Sequence, residues 1–378
     1  MKKKLTKFLC LAACVMLAAA MLALGASAAG KTVYLSGDGD DAHDGASYRT
    51  TVKTFARAYA LLGDEGGRIV VCGTVNTGAE YTMPASKGTV TITATDGKMT
   101  FPLGKIVFGT TLTLGGDTIL DRVTLSTSTG VLACGGHNVI FGKGLKTVGS
   151  IILVGGYNVI EGATVAEASI ARDYTITVNG GDFTYFRVGN RRVTGKAPFG
   201  NISGNATFIV NGGNFTARDD TANQSAAAGM NEQTGNVSVT INGGRIYGNL
   251  FAVGRAGTNE TEQNAPKVTG NITVTVNGGQ IGGRRLDENQ DNTLGFTGKY
   301  TLRLNDGLFP RIESIKGGST ASVSISTALS TDRAAVASTY KNPLRVGADP
   351  WVIYRDGYYY MVCTSSRGFY CYRSSTLD

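Results

Sequence analysis

Cysteine, tryptophan and excess charge are all scarce in this sequence, and each scarcity narrows what the chain can be. Of its six cysteines, two fall within the first 28 residues. Cys72, Cys134, Cys363 and Cys371 remain, too few to staple a small disulfide scaffold. A single tryptophan set against 53 glycines suits a turn-rich all-β chain. The formal net charge of +8 includes four lysines in the first 28 residues, which carry no acid, so the remainder stands at +4. That surplus gives little support to a nucleic-acid partner. A length of 378 residues allows two domains.

What the chain has in abundance is one repeated phrase. Y-T-I-T-V-N-G-G-D-F ends at Phe183 and A-T-F-I-V-N-G-G-N-F at Phe215. V-S-V-T-I-N-G-G-R-I ends at Ile246 and I-T-V-T-V-N-G-G-Q-I at Ile281, and a worn copy, Y-T-L-R-L-N-D-G-L-F, ends at Phe309. Apolar residues recur one and three places before each Asn and four after it. This is period-two alternation, the mark of a strand with one buried face. Asn-Gly-Gly then breaks the strand, since Asn and Gly tolerate the positive φ of a tight corner. A unit this short cannot bury its apolar face alone, so copies must stack. The expected result is a parallel β-solenoid whose corner asparagines lie above one another, amide to amide. The rival reading is a set of antiparallel hairpins closed by Asn-Gly turns.

A tighter version runs over Val90–Ala163, where Leu114-Gly115-Gly116, Cys134-Gly135-Gly136 and Val154-Gly155-Gly156 recur. Cys72 and Cys134, in apolar or glycine-rich strand contexts, read as small core residues. The later copies open with Ser203-Gly204-Asn205, Thr234-Gly235-Asn236, Thr269-Gly270-Asn271 or Thr297-Gly298-Lys299. Asn-x-Ser/Thr triplets at these openings are read as strand-start chemistry rather than glycosylation. The loops between copies are polar: Arg191 and Arg192, then Arg218, Asp219 and Asp220, then Arg255, Glu260 and Glu262, then Arg284, Arg285, Asp287 and Glu288. If the corners stack, these loops share one side. They form either an ordinary solvated face or a charged ridge that holds a polysaccharide or cell-surface polymer.

The first 28 residues read as a signal peptide. Lys2, Lys3, Lys4 and Lys7 precede an apolar run, Phe8–Leu24, and Ala26-Ser27-Ala28 is an A-x-A cleavage site. Alternatives are an uncleaved anchor and a lipobox at Leu11-Ala12-Ala13-Cys14. Export is preferred, because the apolar run continues past Cys14. A secreted or cell-surface location follows, with no stable membrane insertion after cleavage. Beyond the signal, Val33-Tyr34-Leu35 is a short strand. Phe55, Ala58, Tyr59 and Leu62 lie on one face of a helix over Thr54–Leu62, and Arg68–Cys72 is a buried strand. This order resembles the N-terminal cap of right-handed β-helix proteins of the pectate-lyase-like class. The resemblance implies an all-β, right-handed parallel β-helix with a cap helix over 29–325, then a linker over 326–341. Asp38, Asp40, Asp41 and Asp44 admit a calcium reading, but the EF-hand's twelfth-position Glu is missing. Capping of turns is the plainer role, and no cofactor is expected.

From Tyr340 the composition changes. Trp351–Tyr354, Tyr358–Thr364 and Phe369–Arg373 read as an antiparallel meander turning at Arg355-Asp356-Gly357 and Ser365–Gly368. Cys363 and Cys371 lie on adjacent strands, either paired or as two thiols. The run N-P-L-R-V-G-A-D-P-W-V-I-Y-R-D-G-Y-Y-Y-M-V-C-T resembles the opening blade of family 43 glycoside hydrolases, five-bladed β-propellers that cleave arabinose- and xylose-containing polysaccharides with inversion. The resemblance implies that residues 342–378 are a first blade, and that Asp349 is the general base. An inverting glycosidase needs a second, acidic carboxyl, and no later blade is present to supply it. The chain thus reads as the N-terminal part of an exported glycoside hydrolase, inactive in this form. The alternatives are a non-catalytic, adhesin-like solenoid that binds glycan and, ranked last, a polysaccharide lyase working on the β-helix.

Overall fold

The computed structural model describes residues 30–192, 197–218, 224–254, 267–289, 295–316 and 322–325, and the strands 348–355, 358–365 and 368–374. The signal segment and the 326–341 linker lie outside them. The fold is all-β with long parallel sheets. A first long sheet of 11 strands runs from Thr32–Leu35 through Gly67–Val71, Val90–Thr93, Thr118–Leu120 and Val139–Phe141. It continues through the five repeat strands Tyr174–Val178, Ala206–Val210, Val237–Ile241, Ile272–Val276 and Tyr300–Leu304 to Ser322–Ile325. Every neighbouring pair is parallel, and the repeat strands match residue for residue: Ile176↔Phe208↔Val239↔Val274↔Leu302. The antiparallel-hairpin alternative for the repeats is therefore overturned. Each strand's apolar face would have been half covered in a hairpin, whereas here it continues into the next copy.

A second long sheet includes Thr124–Ala133, Lys146–Val154, Phe186–Arg187, Ser225–Ala228, Leu250–Val253, Arg285–Asn289 and Ser314–Lys316. Among the described residues there are also three short parallel sheets: a two-stranded one pairing Asn158–Val159 with Arg191–Arg192, and two of four strands, called here the third and fourth sheets. The third sheet stacks Asp182–Phe183, Asn214–Phe215, Arg245–Ile246 and Gln280–Ile281. The fourth stacks Asn201–Ile202, Glu232–Gln233, Lys267–Val268 and Gly295–Phe296. One core extends from Val33 to Leu304, and the inward positions of the repeats are buried throughout. Aromatic rings continue the stack, with Phe186 over Phe208 at 4.5 Å and Phe183 over Phe215 at 5.8 Å.

The corners are held by side-chain ladders. Asn211 donates to Asn179, Asn242 to Asn211 and Asn277 to Asn242, each Nδ2 to Oδ1 at 2.9 Å, and Asn305 donates to Asn277 at 2.7 Å. The two glycines that follow do different jobs. The second (Gly181, Gly213, Gly244, Gly279) has φ of +77 to +95°. The first sits so close to the coil before it that a Cβ on Gly243 would lie 2.6 Å from the Asn211 carbonyl oxygen. The asparagines themselves do not take positive φ, the role expected for them. They are there for the amide, which can donate and accept along one line.

The coil openings form a second ladder. Asn205, Asn236 and Asn271 each accept, through Oδ1, the backbone N–H of the residue one coil on, at 3.0–3.2 Å. It ends at Lys299, which has no side-chain acceptor. The helix Phe55–Leu62 covers the start of the stack with Phe55, Ala58, Tyr59 and Leu62 buried, and Thr54 caps it by accepting from the Arg57 N–H.

Candidate functional site

Asp349 is the second residue of the strand Ala348–Arg355, which pairs antiparallel with Tyr358–Ser365, itself paired with Gly368–Ser374. The ladder shifts register between Ala348 and Trp351, so Asp349 and Pro350 fall inside the irregularity. Proline brings no N–H to a ladder, and an irregular strand start is where it is tolerated. The first hairpin closes at Arg355↔Tyr358, and its Asp356-Gly357 loop lies outside the described residues. Cys363 is register partner to Tyr370 and Cys371 to Val362, so the two cysteines are not opposite each other.

The acidic loop spends its carboxylates on its own backbone. Asp41 Oδ1 accepts from the Lys53 and Thr54 N–H groups at 2.8 and 2.9 Å, and its Oδ2 accepts the Thr54 hydroxyl at 2.8 Å. Partial burial presses the Asp41 pKa up, but these bonds outweigh it and hold the carboxyl below its ordinary value. Asp40 and Asp44 accept from the Ala42 and Ala46 N–H groups. Among the described residues no three His, Cys, Asp or Glu side chains converge on a metal-sized site. Cys72 and Cys134 are free thiols; burial pushes Cys72 up to about 12 and Cys134 higher still.

Of the loop charges named for a solvated face or a ridge, two of those described are buried. Arg192 is buried, stacks 3.8 Å from the Phe199 ring and donates through Nε to the Ala197 carbonyl. Asp287 is also buried and accepts from Arg285 Nε at 2.7 Å and from the Ser314 hydroxyl at 2.9 Å. Arg192 finds its partners within its own loop, and Asp287 pairs with Arg285 two residues away and with Ser314 of the following strand, so each buried charge is hydrogen-bonded. Arg191, Arg218 and Arg284 remain at the surface in part or in full. Asp219, Asp220, Arg255, Glu260 and Glu262 lie outside the described residues.

The better-formed surface is the outer face of the third sheet. Asp182, Asn214, Arg245 and Gln280 stack in register along it, and Thr184, Thr216 and Tyr247 form the next row. Asn214 Nδ2 donates to Asp182 Oδ1 at 2.6 Å. The Arg245 guanidinium lies 5.2 Å from the Tyr247 ring centre and donates to its hydroxyl at 3.0 Å. At the Asp182 end, a groove of about 450 Å³ opens between Lys146, Thr147, Val148, Asp182, Gly213 and Asn214. Sequence reading passed over this row, since the residue between Gly-Gly and the buried Phe or Ile varies from copy to copy.

No family model, no curated protein and no solved structure matches this chain. No helix among the described residues is long and apolar enough to cross a membrane. What the chain's own geometry defines is an all-β protein of stacked parallel repeats, carrying a separate antiparallel three-stranded sheet.

Proposed function

We propose that this chain is the N-terminal part of an exported carbohydrate-active protein. Its coils over 33–325 wind as one right-handed parallel β-helix, and its last strands open a glycoside-hydrolase propeller of the family 43 type. The observation that carries this reading is the switch at Ala348: among the described residues every pairing of strands before it is parallel, one isolated bridge at Thr95 and Thr100 aside, and the A-D-P-W segment enters an antiparallel meander of 8, 8 and 7 residues. A propeller blade is a four-stranded antiparallel meander, and these three strands match its first three. Asp349 stands at its first strand's entrance, where the resemblance puts a general base.

The chemistry assigned to Asp349 is removal of a proton from the attacking water, on the sugar face opposite the leaving oxygen. A second carboxylic acid must protonate that oxygen, and later blades would supply it. On this reading the 378-residue chain has no glycosidase activity on arabinoxylan or arabinan, while a version extended through a full propeller hydrolyses with inversion. In the extended version Asp349→Asn lowers the rate by orders of magnitude with folding intact, because an amide does not take the proton. Full activity in that variant, or clear activity in the 378-residue chain, would refute the assignment. The second reading, a non-catalytic glycan-binding solenoid, is favoured by the exposed polar rows of the third sheet.

A further inference from the structure

We infer that the outer face of the third sheet is a binding track for a neutral polysaccharide, lying along the stack from the groove at Thr147 and Asp182 to Gln280, with the ring of Tyr247 beside it. That the polymer is a plant-type glycan rests on the function proposed above. Where it binds rests on the face itself.

Three observations support the track. Successive coils present Asp182, Asn214, Arg245 and Gln280 at one register position. Parallel strands repeat roughly every 4.8 Å, so the face offers a hydrogen-bonding group at each step to a polymer whose own hydroxyls repeat. These are planar side chains with two or more donor or acceptor atoms, suited to paired hydroxyls on one sugar ring. Second, the track has a hydrophobic platform. Tyr247 is 38% exposed, and Arg245 fixes its ring by a hydrogen bond and a cation–π contact. A fixed, exposed aromatic gives a sugar's apolar face a flat surface at small entropic cost. Third, the signs are mixed. Lys146 lines the groove with Asp182, and Arg245 lies two rungs along the row, beyond Asn214, so a polyanion would meet a carboxylate and a polycation two cations. An uncharged polyol meets neither penalty.

Affinity electrophoresis of the 378-residue protein through gels containing soluble arabinoxylan tests this. Retardation is expected, with at least a tenfold weaker dissociation constant for Tyr247→Ala and a clear loss for Arg245→Ala. Tyr48→Ala, which removes another exposed ring far along the chain, should match the parent and controls for general stickiness. Circular dichroism of each variant separates lost binding from lost fold. Should Tyr247→Ala prove misfolded, Tyr247→Ser and Gln280→Ala carry the same test. The inference is overturned if the parent migrates freely, if Tyr48→Ala loses as much as Tyr247→Ala, or if a salt-sensitive interaction with a sulfated polymer replaces the arabinoxylan one. Retardation without hydrolysis by the propeller-extended protein would sink the enzymatic reading and leave the track standing. Hydrolysis without retardation would do the reverse.

Discussion

Val239 offers a stringent probe of how the stack is held. It has no exposed surface and sits in register between Phe208 and Val274, also fully buried. Replacing it by Asp removes an apolar side chain whose burial contributes roughly 1.5–3 kcal/mol. It also places a carboxyl where no partner exists. Burial of that kind raises a carboxyl pKa by about 3–5 units, to about 7–9, and at pH 7 each unit between its ordinary value of about 3.9 and the pH costs about 1.4 kcal/mol, about 4 kcal/mol in all. The cost at pH 7 is therefore at least about 5 kcal/mol, comparable with the whole stability of many domains. The pH dependence has a definite sign. The folded-state pKa is raised, so the folded form binds the extra proton, and the charge penalty is full above the raised pKa and relieved as pH falls toward 4. Guanidinium denaturation followed by circular dichroism at pH 7 and pH 4 reads both. A loss under about 1 kcal/mol at pH 7, or a larger loss at pH 4 than at pH 7, would refute the inward placement.

Other perturbations separate the remaining contacts. Asn242→Leu breaks two rungs, its donation to Asn211 and its acceptance from Asn277, and should cost about 1–3 kcal/mol by the same assay. Gly235→Ala puts a Cβ 2.0 Å from the Gly204 carbonyl oxygen, so the coil spacing must give and the melting temperature should fall by several degrees. Gly63→Ala meets nothing within 4 Å and carries only the strain of φ +74°, about 1 kcal/mol. His137 is held down to about 4, first by burial and then by the neighbouring Arg172, with Asp117 opposing. Its folded pKa lies below the unfolded value, so the unfolded chain binds the proton first and stability falls as pH drops from about 6.5 toward 4. In His137→Gln that part of the acid slope should disappear in denaturation titrations across the same window.

Much of this architecture could be read in the residues before any coordinates. Ile176, Phe208, Val239, Val274 and Leu302 point inward because side chains in a strand alternate. The asparagine ladder followed from one residue type recurring at one corner. What was not legible has physical causes as well. Asn179 and its counterparts look like positive-φ corner residues, yet only the following glycines take that conformation. Arg192 and Asp287 look like solvated loop charges; Arg192 is buried by the way its own loop folds back to Ala197 and Phe199, and Asp287 meets the Ser314 hydroxyl only because the next copy stacks on it. Asp182, Asn214, Arg245 and Gln280 share no chemistry by type, so their common row appears only once the register is known.

Parallel, in-register stacking of the copies is the claim on which all of this rests, and paired cysteines test it directly. In the parallel register Thr175 faces Thr207, whereas an antiparallel pairing of 174–178 with 206–210 would set Thr175 against Ile209. Opposed strand positions lie about 5 Å apart and diagonal ones about 7–8 Å, and a disulfide needs Cα atoms within roughly 4.4–6.8 Å. Under mild oxidation the double variant Thr175→Cys with Thr207→Cys should therefore cross-link quickly and nearly completely, and Thr175→Cys with Ile209→Cys should not. The reverse outcome, rapid closure of the 175–209 pair with the 175–207 pair left reduced, would contradict the stacked parallel repeats.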